Sequence, residues 1–170
     1  MKEHYLIDGY NVINNWPDFA KVRDQDLEHA RAMLTDKVAE FSAFHGYDAV
    51  VVFDAMDAKG PEAAEFIGGC MVVYTAEQET ADSWIERETS RIAKKGVRVF
   101  VVTSDKAEQD NVLGSGAFRI SAREFREMYY KTKKEIEERI VSLPGYSGRR
   151  EIGGRIGSDV ATCLEKLRRG

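Results

Sequence analysis

Leu6-Ile7-Asp8-Gly9-Tyr10-Asn11, near the start of the chain, governs the reading of the rest. His4-Tyr5-Leu6-Ile7 is a short apolar strand, and Asp8 stands where it ends. Gly9 is expected to allow a tight turn, and Asn11 adds a second polar side chain beside Asp8. A carboxylate at the tip of a buried strand is costly unless something positive meets it. In an open α/β sheet that tip faces the crevice where ligands bind. Function therefore turns on which other groups reach the same edge.

Outward from that stretch, strands and helices alternate. Leu27, Ala30, Leu34, Val38 and Phe41 recur at helical spacing and predict a helix over about 25–45, stopped by Gly46. Residues 14–23 between strand and helix read as a loop. Ala49-Val50-Val51-Val52-Phe53 is an unbroken apolar run, the pattern of a strand covered on both faces, and it ends at Asp54. Residues 56–69 read as a loop, and 70–74 as a third strand. A helix from near Thr80 turns Trp84, Ile85, Thr89 and Ile92 inward. The fourth strand, 97–102, runs into Thr103-Ser104-Asp105. A short helix over about 106–113 and a fifth strand, 118–120, follow. Ser121-Ala122-Arg123-Glu124 is a capping-box signature. It opens a long helix with Phe125, Tyr129, Thr132, Ile136, Ile140 and Leu143 inward. The alternation predicts one α/β domain, a parallel sheet with helices on both faces, over residues 1–143. Residues 144–170 are expected to form a Gly/Arg-containing appendage ending in a short helix.

Composition fits one ordinary globular domain: 170 residues, 43% hydrophobic and 32% charged. No apolar run approaches the roughly 20 residues of a membrane span, so no membrane partner is expected. The first residues lack the order of a signal peptide, and Cys70 and Cys163 have no metal-ligand spacing. Both features predict a cytoplasmic protein with free thiols. The net charge of −4 is uneven. Residues 1–130 carry 15 Lys and Arg against 23 Asp and Glu, and residues 131–170 carry 10 against 6. An acidic body with a basic end suits a metal-binding centre and a separate phosphate-binding region, and equally an unevenly charged solvated surface.

Asp8, Asp54 and Asp105 each follow a strand and should share the carboxyl edge of the sheet, where the helix bearing Asp82 should also begin. Four acids in one crevice repel, and a divalent cation relieves that. Oxygen ligands without His or Cys favour Mg²⁺ or Mn²⁺, and His4, His29 and His45 fit no zinc spacing. Each acid also has a purely structural reading. Asp82 suits a helix N-terminus, Asp105 with Glu108 an N-cap pair, and Asp54 a turn. Asn11 can bond its own backbone. Tyr10 and Trp16 are candidates for base stacking or for the core. Arg149, Arg150 and Arg155 are candidates for RNA phosphates or for a plain surface connection. No phosphate-binding glycine loop and no serine-nucleophile elbow occurs.

Ile7-Asp8-Gly9-Tyr10-Asn11 resembles the opening motif of the NYN-domain nucleases, a branch of the PIN-like superfamily. Glu79-Thr80-Ala81-Asp82 with Ile85-Glu86, and Thr103-Ser104-Asp105 with Gln109, resemble more narrowly its YacP-like bacterial branch. The resemblance covers about residues 4–140. It implies a PIN-like three-layer α/β/α fold with a mostly parallel central sheet of about five strands. It also implies a metal-dependent endoribonuclease using Mg²⁺ or Mn²⁺ and acting on RNA, with single-stranded messenger RNA at the ribosome as the expected setting. By position, Asp8, Asp82 and Asp105 match the family's metal-binding acids and Asn11 their polar partner. Asp54 is a less secure match, with Glu77 and Glu79 as other candidates. Two rivals stay open: a non-catalytic RNA- or ribosome-binding module, and a receiver-like domain with Asp54 as phosphoacceptor. The second wants a pair of acids after its first strand and a lysine after its last, whereas here Asp8 stands alone and Arg119 with Ile120 follows Phe118.

Overall fold

The computed structural model describes residues 2–55, 59–106, 110 and 115–145. Its centre is a six-stranded sheet. The strands are β1 (Glu3–Asp8), β2 (Asp48–Phe53), β3 (Ala63–Ile67), β4 (Cys70–Tyr74), β5 (Arg98–Val102) and β6 (Phe118–Ile120), ordered β3-β4-β2-β1-β5-β6. All neighbours pair in parallel except β3 with β4. The helices are α1 (Gly9–Asn15), α2 (Val22–Gln25), α3 (Leu27–His45), α4 (Ala81–Ala93) and α5 (Ala122–Val141), with a 3-10 turn at Pro17–Phe19.

The apolar runs are unbroken because both faces of the sheet are covered. Tyr5, Ile7, Val51, Phe53, Val72 and Val102 enter one core with α1, α3 and α5. Their alternates Leu6, Val52, Val73 and Val101 enter a second core with Trp84, Ile85 and Ile92 of α4. These two cores make the three layers. Gly46 closes α3 at φ 72°, a left-handed stop that glycine adopts without penalty. Among the described residues no helix is long and apolar enough to cross a membrane.

Several local expectations need correction. Gly9 is the first residue of α1, not a turn, and residues 14–23 are the end of α1, a 3-10 turn and the start of α2 rather than a loop. A Cβ on Gly9 would stand 2.3 Å from Cε1 of Phe53, so this glycine answers a close approach of helix and strand. The expected loop 56–69 contains β3, which makes six strands rather than about five. Every residue of β3 is exposed, and Glu65 at its centre is the kind of charge that discourages edge pairing with another chain. Leu143 lies beyond the end of α5 and is exposed, not inward. Most of the expected 106–113 helix, with Glu108 and Gln109, lies outside the described residues, as does Cys163.

The capping box is present: Ser121 Oγ accepts from Glu124 N at 3.1 Å, and Glu124 Oε2 accepts from Ser121 N at 2.7 Å. Ser121→Ala is expected to cost about 1 kcal/mol, read as a lower urea midpoint at unchanged m-value.

Candidate active site

The parallel register sends the carboxyl ends of β4, β2, β1, β5 and β6 to one edge. Asp8 ends β1 opposite Val52, and Asp54 follows β2 two residues later. On the other side Ile7 pairs with Val102, and Asp105 lies three residues past that pair. Asp82 occupies the first turn of α4, whose N-cap Thr80 accepts from Ser83 N. Ala81 and Trp84 anchor that turn in the second core with Leu6 and Val52, which fixes the start of α4 over β1 and β2. At the level of the backbone the four sequence-predicted acids therefore share an edge. Asp8, Asp54 and Asp82 are half-buried and Asp105 is exposed.

Two sets of polar contacts hold this edge. In the first, Asp8 caps α1 by accepting from Asn11 N at 3.2 Å. Asn11 Oδ1 accepts from Ser104 N at 2.8 Å, and Ser104 Oγ accepts from Ala122 N at 2.9 Å. Trp16 Nε1 donates to Ala122 O at 2.7 Å, so Trp16 is a buried core residue that ties α1 to α5. Thr103, itself buried, donates its N–H to Ile120 O and accepts from Asp105 N. In the second set, Thr75 Oγ1 accepts from Ala55 N at 2.9 Å and donates to Glu79 O at 2.7 Å. Thr75 thereby holds the backbone just after Asp54 and the approach to α4. Sequence reading did not single it out; its only signal was a lone threonine directly after an apolar strand.

Asn11 works here as a brace across 93 residues of chain. Asn11→Ala is expected to slow any cleavage about tenfold to a hundredfold, as loss of a supporting hydrogen bond around a metal site does, with little change in substrate KM. Asn11→Asp keeps the acceptor for Ser104 N and should lose less of the supporting bond. A kcat of Asn11→Ala equal to that of the parent chain counts against the brace.

Glu79 is paired with Arg87, which also reaches Glu62 at 3.2 Å, and Glu77 is exposed. The Glu79 carboxylate is thus already engaged by a cation. Tyr10 is half-buried, with its ring 5.1 Å from that of Phe53 and its hydroxyl accepting from Arg31 Nη1 at 2.9 Å. Arg149, Arg150 and Arg155 lie outside the described residues.

The carboxylate-only donor set fits a hard divalent cation. Among the described residues no group of three or more His, Cys, Asp or Glu side chains is disposed to hold a metal ion. Mg²⁺ commonly needs no such cage: one or two carboxylates suffice, with substrate phosphate and water completing its shell.

A mostly parallel PIN-like sheet with acids at its carboxyl edge defines the class, and the chain belongs to the YacP-like NYN domain family, which it matches over residues 5–169. Among individual proteins, it is 34% identical over 165 residues to the uncharacterized protein YacP of Bacillus subtilis (strain 168), covering 97% of this chain and 96% of that one. The crystal structure of Rae1 (YacP) from Bacillus subtilis superimposes with a TM-score of 0.74 at 34% identity, over 98% of this chain and 94% of that one. Its W164L mutant gives a TM-score of 0.77 at 32% identity, over 100% and 96%.

Proposed function

We propose that this chain is a metal-dependent endoribonuclease that hydrolyses phosphodiester bonds of RNA. The observation that carries the proposal is the strand register, which sets Asp8, Asp54 and Asp105 at the ends of three adjacent strands with Asp82 in the helix turn beside them. Membership of the NYN family supports the same reading. Asp8, Asp82 and Asp105, with Asp54, are the candidates of which one or two would hold Mg²⁺ or Mn²⁺ directly, substrate phosphate and water completing the shell. A bound cation supplies charge for the phosphoryl oxygens and a water nucleophile at neutral pH.

The chain's own part is to hold the carboxylates in place before substrate arrives. Asn11, Ser104, Thr103 and Thr75 do this through the backbone bonds described above. No side chain is needed as a covalent nucleophile. Single-stranded RNA is the favoured substrate because its exposed bases can be splayed and stacked. Messenger RNA, the ribosome and the cytoplasm form the proposed setting, and Tyr10, Arg149, Arg150 and Arg155 the proposed further contacts.

The test is a labelled RNA incubated with the purified full chain in Mn²⁺, Mg²⁺ or EDTA. Internal cuts that appear with metal and vanish with EDTA are expected. Binding without cutting in either metal overturns the nuclease reading and leaves the non-catalytic module.

A further inference from the structure

We infer that Arg31 is a phosphate-binding subsite for the RNA strand, set beside the acidic edge and contacting a linkage next to the one that is cut. The inference rests on the ribonuclease reading for its substrate but not for its geometry.

Arg31 lies in the first turns of α3 and is half-buried. Its Nη1 donates to Tyr10 Oη at 2.9 Å, and its guanidinium carbon lies 5.9 Å from the centre of the Tyr74 ring. Phe53 packs between those two tyrosines, with ring centres 5.1 Å from Tyr10 and 5.7 Å from Tyr74. Tyr10 is two residues after Asp8, Phe53 is one before Asp54, and Tyr74 ends β4. The guanidinium is therefore held at the same edge as the acids by two tyrosine side chains rather than by a carboxylate.

What it lacks is an anion. Among the described residues Arg31 makes no ion pair, whereas Arg87, Arg91, Arg98 and Arg126 each meet a carboxylate. Glu28 adds a favourable field without forming an ion pair with it. Its Nε is buried with no hydrogen-bond partner. A buried donor without an acceptor is rare in native proteins, and only the exposed part of this half-buried side chain is open to a ligand. Phosphate is the partner that fits the exposed part of a fixed guanidinium: it brings negative charge and several acceptor oxygens. The acids beside it repel a phosphodiester on their own, and a cation at Arg31 offsets that for the flanking linkage.

The alternative is that Arg31 only braces Tyr10. The two roles separate experimentally. Fluorescein-labelled oligouridine is titrated against the full chain in EDTA, where nothing is cut, and followed by anisotropy at several salt concentrations. Arg31→Gln is expected to weaken binding about tenfold and to flatten the log–log salt slope by about 0.7, the loss of one phosphate contact on a single strand. Arg31→Lys should recover the slope but only part of the affinity, since it keeps the charge and not the fork. Arg91→Gln, which removes a surface arginine paired with Glu88 in the last turn of α4, should bind close to the parent chain. Parent-like affinity and slope in Arg31→Gln overturn the subsite, as does an equal loss of affinity and slope in Arg91→Gln, or no measurable binding by the parent. If Arg31→Gln fails to fold, Arg31→Lys with the salt slope of Arg31→Gln's unsubstituted parent and undiminished affinity overturns it instead. A parent chain that binds with the expected Arg31 dependence but does not cut in Mn²⁺ sinks the nuclease reading alone.

Discussion

Asp8→Asn is expected to reduce metal-dependent RNA cleavage by about two to four orders of magnitude while leaving the fold intact. The side chain of Asp8 has a structural task and a proposed chemical one. Structurally it accepts from Asn11 N and caps α1. Asparagine serves as an N-cap about as well as aspartate, so the substitution keeps that bond and should move stability by only a few tenths of a kcal/mol. Chemically, the substitution removes a full negative charge from the edge where the cation is proposed to sit. Activity and stability therefore part company in this variant. Asp8→Ala provides the contrast, since it loses the cap as well and should cost about 1 kcal/mol more. The measurements are cleavage of a labelled RNA in Mn²⁺ and thermal unfolding of the same preparations. Full activity in folded Asp8→Asn would end the metal-dependent mechanism.

Gly9→Ala is expected to destabilise the protein by about 1–3 kcal/mol, the cost of forcing an extra methyl into a packed core. For a domain of this size that lowers Tm by about 3–10 °C. Its new Cβ would lie 2.3 Å from Cε1 and 2.6 Å from Cδ1 of Phe53. Phe53 is fully buried, with the Tyr10 and Tyr74 rings packed against it, so it has no room to swing away. The gain in helix propensity from glycine to alanine, about 1 kcal/mol at most, is smaller than the clash. Combining Gly9→Ala with Phe53→Leu should recover part of the loss, and a double-mutant cycle measures that coupling. An unchanged Tm in Gly9→Ala refutes the close-approach account.

What the sequence made legible follows from where each signal originates. Strands β1, β2, β4 and β5 could be read because each buries side chains on both faces, which leaves a continuous apolar run. The N-terminus of α5 could be read because its cap is local, four residues long. Gly9 was misread because its reason is a ring 44 positions away, and a glycine after a strand suggests a turn when only its neighbours are seen. Strand β3 left no pattern because none of its side chains is buried; its pairing with β4 holds it in place through the backbone. The same distinction applies to the site. The edge position of Asp8, Asp54 and Asp105 follows from parallel topology and could be expected from strand ends, and that of Asp82 from the start of a helix. The brace from Asn11 to Ser104, the Thr75 contacts and the unpaired Arg31 depend on partners brought in by folding, so periodicity carried no trace of them.

The relay from Asn11 through Ser104 to the first residue of α5 also bears on the order in which the protein matures during synthesis. All four acids have been translated by residue 105, yet the backbone beside the last of them is not secured until Ala122 can donate to Ser104. A nascent chain halted between those points carries every proposed ligand without the framework that orients them, so competence to bind a cation should arrive late and abruptly rather than growing with each acid added.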